Sequence, residues 1–468
     1  MKVNRAAITV AVLATSIVAG MAVLKQSIQA HASTPAVKST RDMAAERQPY
    51  DPNQLQQTID VFAHRAQDDP KGAIDCALLA GFYLQRCRET GDIADAQRAE
   101  AAARRSLSIR TKNNQAGYAE LAMSLFTQHR FPEAMKVATF VTHHWSGDPQ
   151  ALATQVEIET ESGDDRKAVS DLSKVPSKKD DPYPLVLAAR LGEFHGTLAQ
   201  SQKLLEAAAS TADQNYDMPR ENVAWFHFRV GNVRWERGDC DGAIRAYEDA
   251  LAWYPRDYRT MLGLAKVTAG QGNWPQAISW GEKSAAIVPM PETIGLLQDC
   301  YHAAAREIDA KREAEVMAAM ATLSKAQGTI YDRQRAMYDA DHGIDLRNAM
   351  ALARHELTVR HDIYAYDTLG WVLYKNGKLA EADRAMSKAL STGSQDSLLY
   401  YHAGMVAGAR HDNARAEIDL NKALTVNPYF QVFGPSIARS TLVRLTSSKV
   451  AIATGPSVDV VEDVNETR

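Results

Sequence analysis

Few residues in this chain have the types and spacing that catalysis or metal binding requires. The stretch RHELTVRH offers His355 next to Glu356, and then His361. The two histidines stand at i and i+6, on different faces of a helix, whereas two zinc ligands on one helix need i, i+4 spacing. The stretch therefore predicts surface or capping histidines, and no metal site.

The chain also lacks the short motifs that mark common catalytic and cofactor sites. It has no GxxxxGKS/T phosphate loop, no GxGxxG after a strand, no GxSxG and no HExxH. Paired acids such as Asp164-Asp165 stand beside Gly, Pro or Lys, where Asp caps helices. We therefore predict that the protein has no catalytic residue, no cofactor and no enzyme activity.

An alternative stays open at the irregular segment 324–345. Tyr331, Asp339, Asp341 and His342 lie in this segment and could together form a polar pocket. Such a pocket would make the protein a carrier of a small molecule or a metal, or an enzyme.

The composition indicates a folded, helical chain. Its 468 residues are 45% hydrophobic and 24% charged, and aromatic residues make up only 7%. The formal net charge of −4 gives no basic signature, so we expect no nucleic-acid partner. The four cysteines, Cys76, Cys87, Cys240 and Cys300, form no metal-binding motif and are expected to be buried thiols.

The N-terminus has the pattern of a secretory signal peptide. Lys2 and Arg5 precede an uncharged run over 6–24, and the small residues that end the segment predict cleavage after Ala32. The expected location is extracytoplasmic, either periplasmic or secreted. Because the run is close to the ~20 residues that span a bilayer, residues 6–24 could instead remain as an inner-membrane anchor.

A repeat of 34 residues organises most of the remaining chain. The stretches GDCDGAIRAYEDALAWYP and GNWPQAISWGEKSAAIVP begin at Gly238 and Gly272, and both end in Pro. Two C-terminal stretches carry the same spacing, with Gly370 and Gly404 at matching positions. Small residues at a fixed period are expected where helices approach closely, and Pro ends a unit because it cannot continue the helix.

These residues resemble the tetratricopeptide repeat family, whose unit is a pair of antiparallel helices. The positions that carry the resemblance, and that we expect to pack repeat against repeat, are Gly231, Gly238, Ala243, Ala250, Pro255, Gly272, Ala277, Pro289, Gly370, Gly377, Ala382, Ala389, Gly404, Ala416, Ala423 and Pro428. The C-terminal stretch also resembles a group of exported bacterial tetratricopeptide proteins. The resemblance implies an all-α, right-handed α-solenoid of about nine or ten helix pairs.

The interruptions of the repeat suggest six segments. Residues 1–32 are the signal peptide or anchor, and 33–69 a flexible lead into the first helix. Three blocks of repeats follow, over 70–182, 183–323 and 324–432, and the tail 433–468 is expected to be largely disordered.

The resemblance also implies a ligand groove. In the family, positions 2, 5, 9 and 12 of the first helix of each unit face the concave surface. In this chain they hold Trp225, Phe228, Asn232 and Trp235, then Tyr364, Asp367, Trp371 and Tyr374, then Leu398, Tyr401 and Met405. Aromatic residues are common anchors in protein interfaces, although these rings could instead belong to the core.

One known use of the fold does not suit this chain. The clamp that grips acidic chaperone tails needs Lys at position 5, where Phe228 stands, although Asn232 matches at position 9. The leading hypothesis is therefore an exported, non-catalytic scaffold or adaptor that binds some other protein or peptide in its concave groove. A scaffold tethered to the membrane is a further alternative.

Overall fold

The computed structural model describes residues 39–145, 147–327 and 332–453. Within these ranges the chain forms 23 α-helices and no strand. The signal-peptide prediction for 1–32, with its cleavage site and the possible anchor over 6–24, lies outside the described residues. Among the helices that are described, none has the length and apolar character to span a membrane.

Twenty of the helices form ten antiparallel pairs. The pairs are α3 (Ala73–Thr90) with α4 (Ile93–Ile109), α5 (Gln115–Thr127) with α6 (Phe131–His144), α7 (Pro149–Ser162) with α8 (Asp165–Leu172), α9 (Tyr183–Phe194) with α10 (Leu198–Gln214), α11 (Arg220–Glu236) with α12 (Cys240–Trp253), α13 (Tyr258–Gly270) with α14 (Trp274–Ile287), α15 (Pro291–Ala303) with α16 (Glu307–Gln327), α17 (Asp332–His342) with α18 (Leu346–Val359), α19 (Ile363–Lys375) with α20 (Leu379–Ala389), and α21 (Ser397–Ala409) with α22 (Asn413–Val426). The all-α solenoid of about ten pairs is confirmed.

The small residues of the repeat lie where helices touch. Ala243, Ala277, Ala382 and Ala416 on second helices are buried, as are Ala250, Ala389 and Ala423, each two helical turns after the alanine of its own helix. On first helices, a Cβ added at Gly404 would stand 2.7 Å from Leu420, and one at Gly370 would collide with Met386. Each pair can therefore nest its helices closely, while the larger side chains fill the gaps between pairs.

The glycines and prolines of the repeat lie at the turns inside and between pairs. Gly238, Gly272 and Gly377 lie between the two helices of their pairs with φ of +78°, +76° and +73°, a region that costs glycine little. Pro255 and Pro289 each stand two residues after the end of a second helix. Pro428 has the same place after α22.

The lead into the first repeat differs from the sequence prediction for 33–69. Residues 39–68 contain two helices, α1 (Thr40–Glu46) and α2 (Gln54–Asp68), where a flexible segment was expected. Ile59 and Ala66 recur at helical spacing and are buried against α3, whereas Ala44 on α1 is buried against α10 and α12. Arg47 fixes this lead by donating to backbone carbonyls that include that of Asn215, at 2.6 Å.

Two other segments are also more regular than the sequence suggested. The last helix, α23 (Gly434–Ala453), occupies much of the tail that was expected to be disordered, and its Ala438 is buried. The segment 324–345 contains the end of α16 and all of α17, apart from residues 328–331, which lie outside the described ranges. The boundaries of the three predicted blocks stay predictions.

Contacts between distant segments close the superhelix on itself. The backbone N–H of His361, before α19, donates to the carbonyl of Ser162 at the end of α7 at 3.0 Å. Thr392, before α21, donates to the carbonyl of Phe194 at the end of α9 at 2.6 Å. Asn427, after α22, donates to the carbonyl of Trp235 on α11 at 2.8 Å. Each contact joins segments five or six pairs apart, so successive superhelical turns touch along a seam.

Candidate ligand-binding lumen

The seam brings the sides of the concave groove together around a lumen. A cavity of about 410 Å³ lies in it and is lined by the first helices of six successive pairs, from α11 to α21. The loop between α22 and α23 closes the cavity with Phe430, Gln431 and Val432. A second cavity of about 450 Å³ adjoins it and shares Asp299, Asp341, His342 and Gln431. Both volumes lie within the range of small-ligand and side-chain pockets.

The predicted groove residues of α11 divide between the lumen and the core. Trp235 lines the cavity, and the ammonium of Lys266 lies 5.8 Å from its ring centroid. Trp225 and Phe228 pack against core clusters, where Phe228 meets the ring of Tyr247. Asn232 accepts a hydrogen bond from the Tyr247 hydroxyl at 2.8 Å. Asn232 is therefore a packing partner of its own pair.

The C-terminal aromatic residues form one buried stack. Trp371 is 3% exposed and lies between Tyr374, at 5.0 Å, and His402, at 4.0 Å between ring centroids. Its indole N–H donates to Asp341 at 2.7 Å. Tyr401, also 3% exposed, packs on Trp371, and both residues line the second cavity. Trp371 and Tyr401 are thus buried residues at the wall of the second cavity, and Tyr374 is half-buried, so their assignment to the groove or to the core stays a prediction.

Tyr364 is the C-terminal aromatic residue that does face the first cavity. The guanidinium of Arg333 lies 5.7 Å from its ring centroid, and the ring of Phe194 meets it edge-on at 5.7 Å. Tyr364 also lies near Asp396, the residue that caps α21. Burial raises the pKa of the Asp396 carboxyl, and Tyr364 offsets a smaller part of that effect. Tyr364, Trp235 and Asp396 therefore share one wall region of the cavity.

Charged side chains line the lumen, and sequence reasoning did not find them. On α9 and α11, Arg229 donates to both oxygens of Glu193 at 2.9 Å, and Arg190 pairs with Glu193 and Glu161 at 3.2 Å. Each of these residues lies on a first helix. In a sequence, a charged residue on a helix indicates a face exposed to solvent. Only the closed superhelix makes this face an interior.

Three glutamates on first helices have no such partner. Glu120 on α5, Glu157 on α7 and Glu236 on α11 are half-buried and make no ion pair or hydrogen bond with another described residue. Burial raises the pKa of Glu120 and of Glu157 to about 7. Burial, and then the nearby Glu193 and Asp396, raise the pKa of Glu236 to about 8.

The cavity at Glu236 also contains polar groups that lack partners. Ser397 is 4% exposed, and its hydroxyl has no hydrogen-bond partner among the described residues. The same holds for the indole N–H of Trp235. Buried polar groups are normally hydrogen-bonded, so both groups are unsatisfied within the described part of the chain.

The alternative polar pocket of segment 324–345 is only partly assembled. Asp339 binds Arg335 through both oxygens, at 2.8 and 2.9 Å, and lines neither cavity. Asp341 and His342 do line both cavities, and His342 contacts Asp299 at 3.2 Å. Tyr331 lies outside the described residues.

The described residues offer no ready metal site. No group of three His, Cys, Asp or Glu side chains in these ranges is arranged to hold an ion. Cys76, Cys87, Cys240 and Cys300 are buried and unpaired, and burial raises the pKa of the Cys300 thiol to about 12. A thiol held in this form is a poor nucleophile.

Comparison with known proteins identifies the repeat. Residues 229–289, which include α12, α13 and α14, match the family model described as tetratricopeptide repeat. None of the curated proteins matches the chain. The resemblance drawn from the small residues is confirmed, and the chain contains tetratricopeptide repeats arranged as a helical solenoid.

Several solved structures resemble the whole chain weakly. A human IFIT1 dimer with PPP-AAAA has a TM-score of 0.43 at 12% identity, over 80% of this chain and 95% of that one. Yeast Tom70 has a TM-score of 0.33 at 10% identity, over 82% and 98%. The APC/C hetero-tetramer Cut9-Hcn1 has a TM-score of 0.32 at 13% identity, over 90% and 98%. Likenesses this distant say nothing of what the chain binds.

The class of protein follows from the repeat itself. Stacked tetratricopeptide pairs build a long surface without a catalytic centre of their own, and such solenoids generally serve as scaffolds for protein–protein interaction. The partner of this chain is a matter for proposal.

Proposed function

We propose that the protein is an exported, non-catalytic scaffold that binds an extended segment of a protein partner inside its lumen. The observation that carries the proposal is the cavity of about 410 Å³ at Trp235 and Tyr364, which is lined by six successive first helices. An extended segment suits this space because it presents backbone groups to the unpartnered Ser397 hydroxyl and Trp235 N–H. The aromatic walls supply apolar contact area.

Site-specific photo-crosslinking tests this function in the native cell. A photo-reactive amino acid replaces Leu398, which lines the cavity, and in a control strain it replaces Ile418, which is exposed on the second helix α22. We expect a covalent adduct with a discrete protein from position 398 and none from 418. Equal adducts from both positions, or none from 398, would contradict the proposal.

The proposed export is supported by the N-terminal sequence pattern and is tested separately. N-terminal sequencing of the mature protein from cell fractions should give Ser33 as the first residue, in the extracytoplasmic fraction. A retained Met1 in the membrane fraction would instead support the scaffold tethered by residues 6–24.

The small-molecule carrier or enzyme remains the competing function. Asp341 and His342 support it because they line both cavities, whereas the engagement of Asp339 by Arg335 speaks against it. A metabolite or metal ion that co-purifies in stoichiometric amount, and is lost in His342→Ala, would favour the competing function.

A further inference from the structure

The walls of the first cavity are acidic in excess. Among the described residues, six carboxyl groups line it, and the permanent cations that line it are Lys266 and Arg333. The carboxyl groups belong to Glu236, Glu292, Asp299, Asp341, Asp367 and Asp396. A ligand that enters this space therefore meets a surplus of acids.

Most of these acids already have a partner, and Glu236 is the exception. Glu292 pairs with Lys266, and Asp299 with His342. Asp367 accepts from His402 at 2.8 Å, and Asp396 accepts the backbone N–H of Leu398 at 2.8 Å. Glu236 makes no ion pair or hydrogen bond within the described part of the chain, and Asp396 lies close enough to raise its pKa.

An acid in this position needs either a proton or a cation. A carboxylate that is taken out of water without a partner is costly, and a bound cation removes that cost. The groups that influence Glu236 are Arg190 and Glu193 on α9, Arg229 on its own helix, Tyr247 on α12, Tyr364 on α19 and Asp396 before α21. The two arginines are already engaged by Glu193.

The geometry points to the chemistry of the partner, in an inference that rests on the proposed function. We propose that the lumen receives a Lys or Arg side chain of the partner segment, whose cation lies beside Glu236 and Asp396. The unpartnered Ser397 hydroxyl and Trp235 N–H bind the backbone that carries this side chain. The Trp235 and Tyr364 rings, which already lie near the Lys266 and Arg333 cations, contact its aliphatic part.

Calorimetry with designed peptides tests the inference on the full mature chain. The probe is an end-blocked peptide, Gly-Ser-Arg-Leu-Arg-Ser-Gly, compared with versions in which both Arg are replaced by Gln or by Glu. We expect the Arg peptide to bind at least tenfold more tightly than either version, because a desolvated charge pair is lost. Equal or tighter binding of the Gln or Glu peptide would overturn the inference.

A variant pair locates the effect. Glu236→Gln keeps the shape of the side chain and removes its charge. We expect it to lower the affinity for the Arg peptide at least tenfold. Glu133→Gln is the matched control, because Glu133 is exposed on the second helix α6 and pairs with Arg130. An unchanged affinity of Glu236→Gln for the Arg peptide would contradict the placement of the cation beside Glu236. Circular dichroism verifies that both variants fold.

Proton release gives a second readout. Because burial raises the pKa of Glu236 to about 8, its carboxyl carries a proton at pH 7 that a bound cation displaces. Calorimetry in buffers of different ionisation enthalpy should detect this release with the wild type at pH 7, and not with Glu236→Gln. Equal proton release by both proteins would contradict the role of Glu236.

Further results distinguish the inference of a cationic partner from the proposed scaffold function. Spermidine that binds as tightly as the Arg peptide would overturn the peptide as occupant. Crosslinks from position 398 could persist in Glu236→Gln and resist competition by the Arg peptide. That result would reject the cationic partner and leave the proposed scaffold function intact. Absence of crosslinks from 398 would reject both.

Discussion

At the scale of single residues, three unpaired glutamates on first helices hold the most chemical information. Glu120, Glu157 and Glu236 lie on first helices, and burial raises the pKa of each. In the unfolded chain the same groups titrate near the ordinary value of about 4.5. The folded protein therefore binds more protons than the unfolded chain between these values, so these groups lower stability as the pH rises.

Glu236 gives the clearest test of this sign. Because its pKa in the folded protein is about 8, Glu236 does not lower the free energy of unfolding at pH 4. It lowers that free energy by its full amount above pH 8. We expect Glu236→Gln to match the wild type near pH 4 and to be more stable by about 2 kcal/mol at pH 8.5, a value reduced because water reaches the side chain. Urea unfolding at several pH values measures the difference. In Glu133→Gln the gain at high pH should be absent, and its appearance there would refute the explanation.

At the scale of helix pairs, one backbone position sets the turn between the two helices. Gly377 occupies it with φ of +73°, whereas Ala305 occupies the equivalent place between α15 and α16 with φ of +56°. No atom lies within 4 Å of a Cβ added at Gly377, so a side chain there would meet no steric obstacle. The cost of a side chain in this turn is therefore a backbone cost.

Opposite substitutions at these two turns should have opposite effects. Gly377→Ala should lower the free energy of unfolding by about 1 kcal/mol, because an L side chain is strained at positive φ. Ala305→Gly should raise it by roughly 0.5 kcal/mol, since the released strain exceeds the added freedom of the unfolded chain. Chemical denaturation measures both changes, and a shift of the same sign in the two variants would contradict this account.

At the scale of the whole molecule, the seam between superhelical turns decides what the lumen is. The seam joins Ser162 to His361, Phe194 to Thr392 and Trp235 to Asn427 by hydrogen bonds. Through it, the ends of α7, α9 and α11 meet the segments before α19, before α21 and after α22. A partner segment must then enter along the axis or wait for the seam to open.

Gly163 tests the seam. It has φ of +85°, and a Cβ added there would stand 2.5 Å from the backbone carbon of His361. We expect Gly163→Ala to part the turns, with a larger radius of gyration in small-angle X-ray scattering and faster amide exchange at His361. Gly377→Ala is the control, because it carries the same backbone strain without a seam contact. An unchanged radius in Gly163→Ala would show that the seam tolerates displacement.

The sequence by itself determined the repeat and the packing inside each pair. Gly231, Ala243, Gly370 and Ala382 could be assigned because contacts within a pair join residues close in the chain, at a period that the sequence displays. The same reasoning treated residues 33–69 and the tail as unstructured, since a single polar helix such as α1 gains its order only from a distant surface.

Only the tertiary structure decided where the concave face becomes an interior. It buried Trp371 and Tyr401, left Trp235 and Tyr364 facing the cavity, and surrounded Glu236 with protein from four other helices. No local pattern encodes this outcome, because it depends on small rotations between pairs that accumulate over six units. A charged residue on a first helix has the same pattern whether the superhelix stays open to water or closes around it.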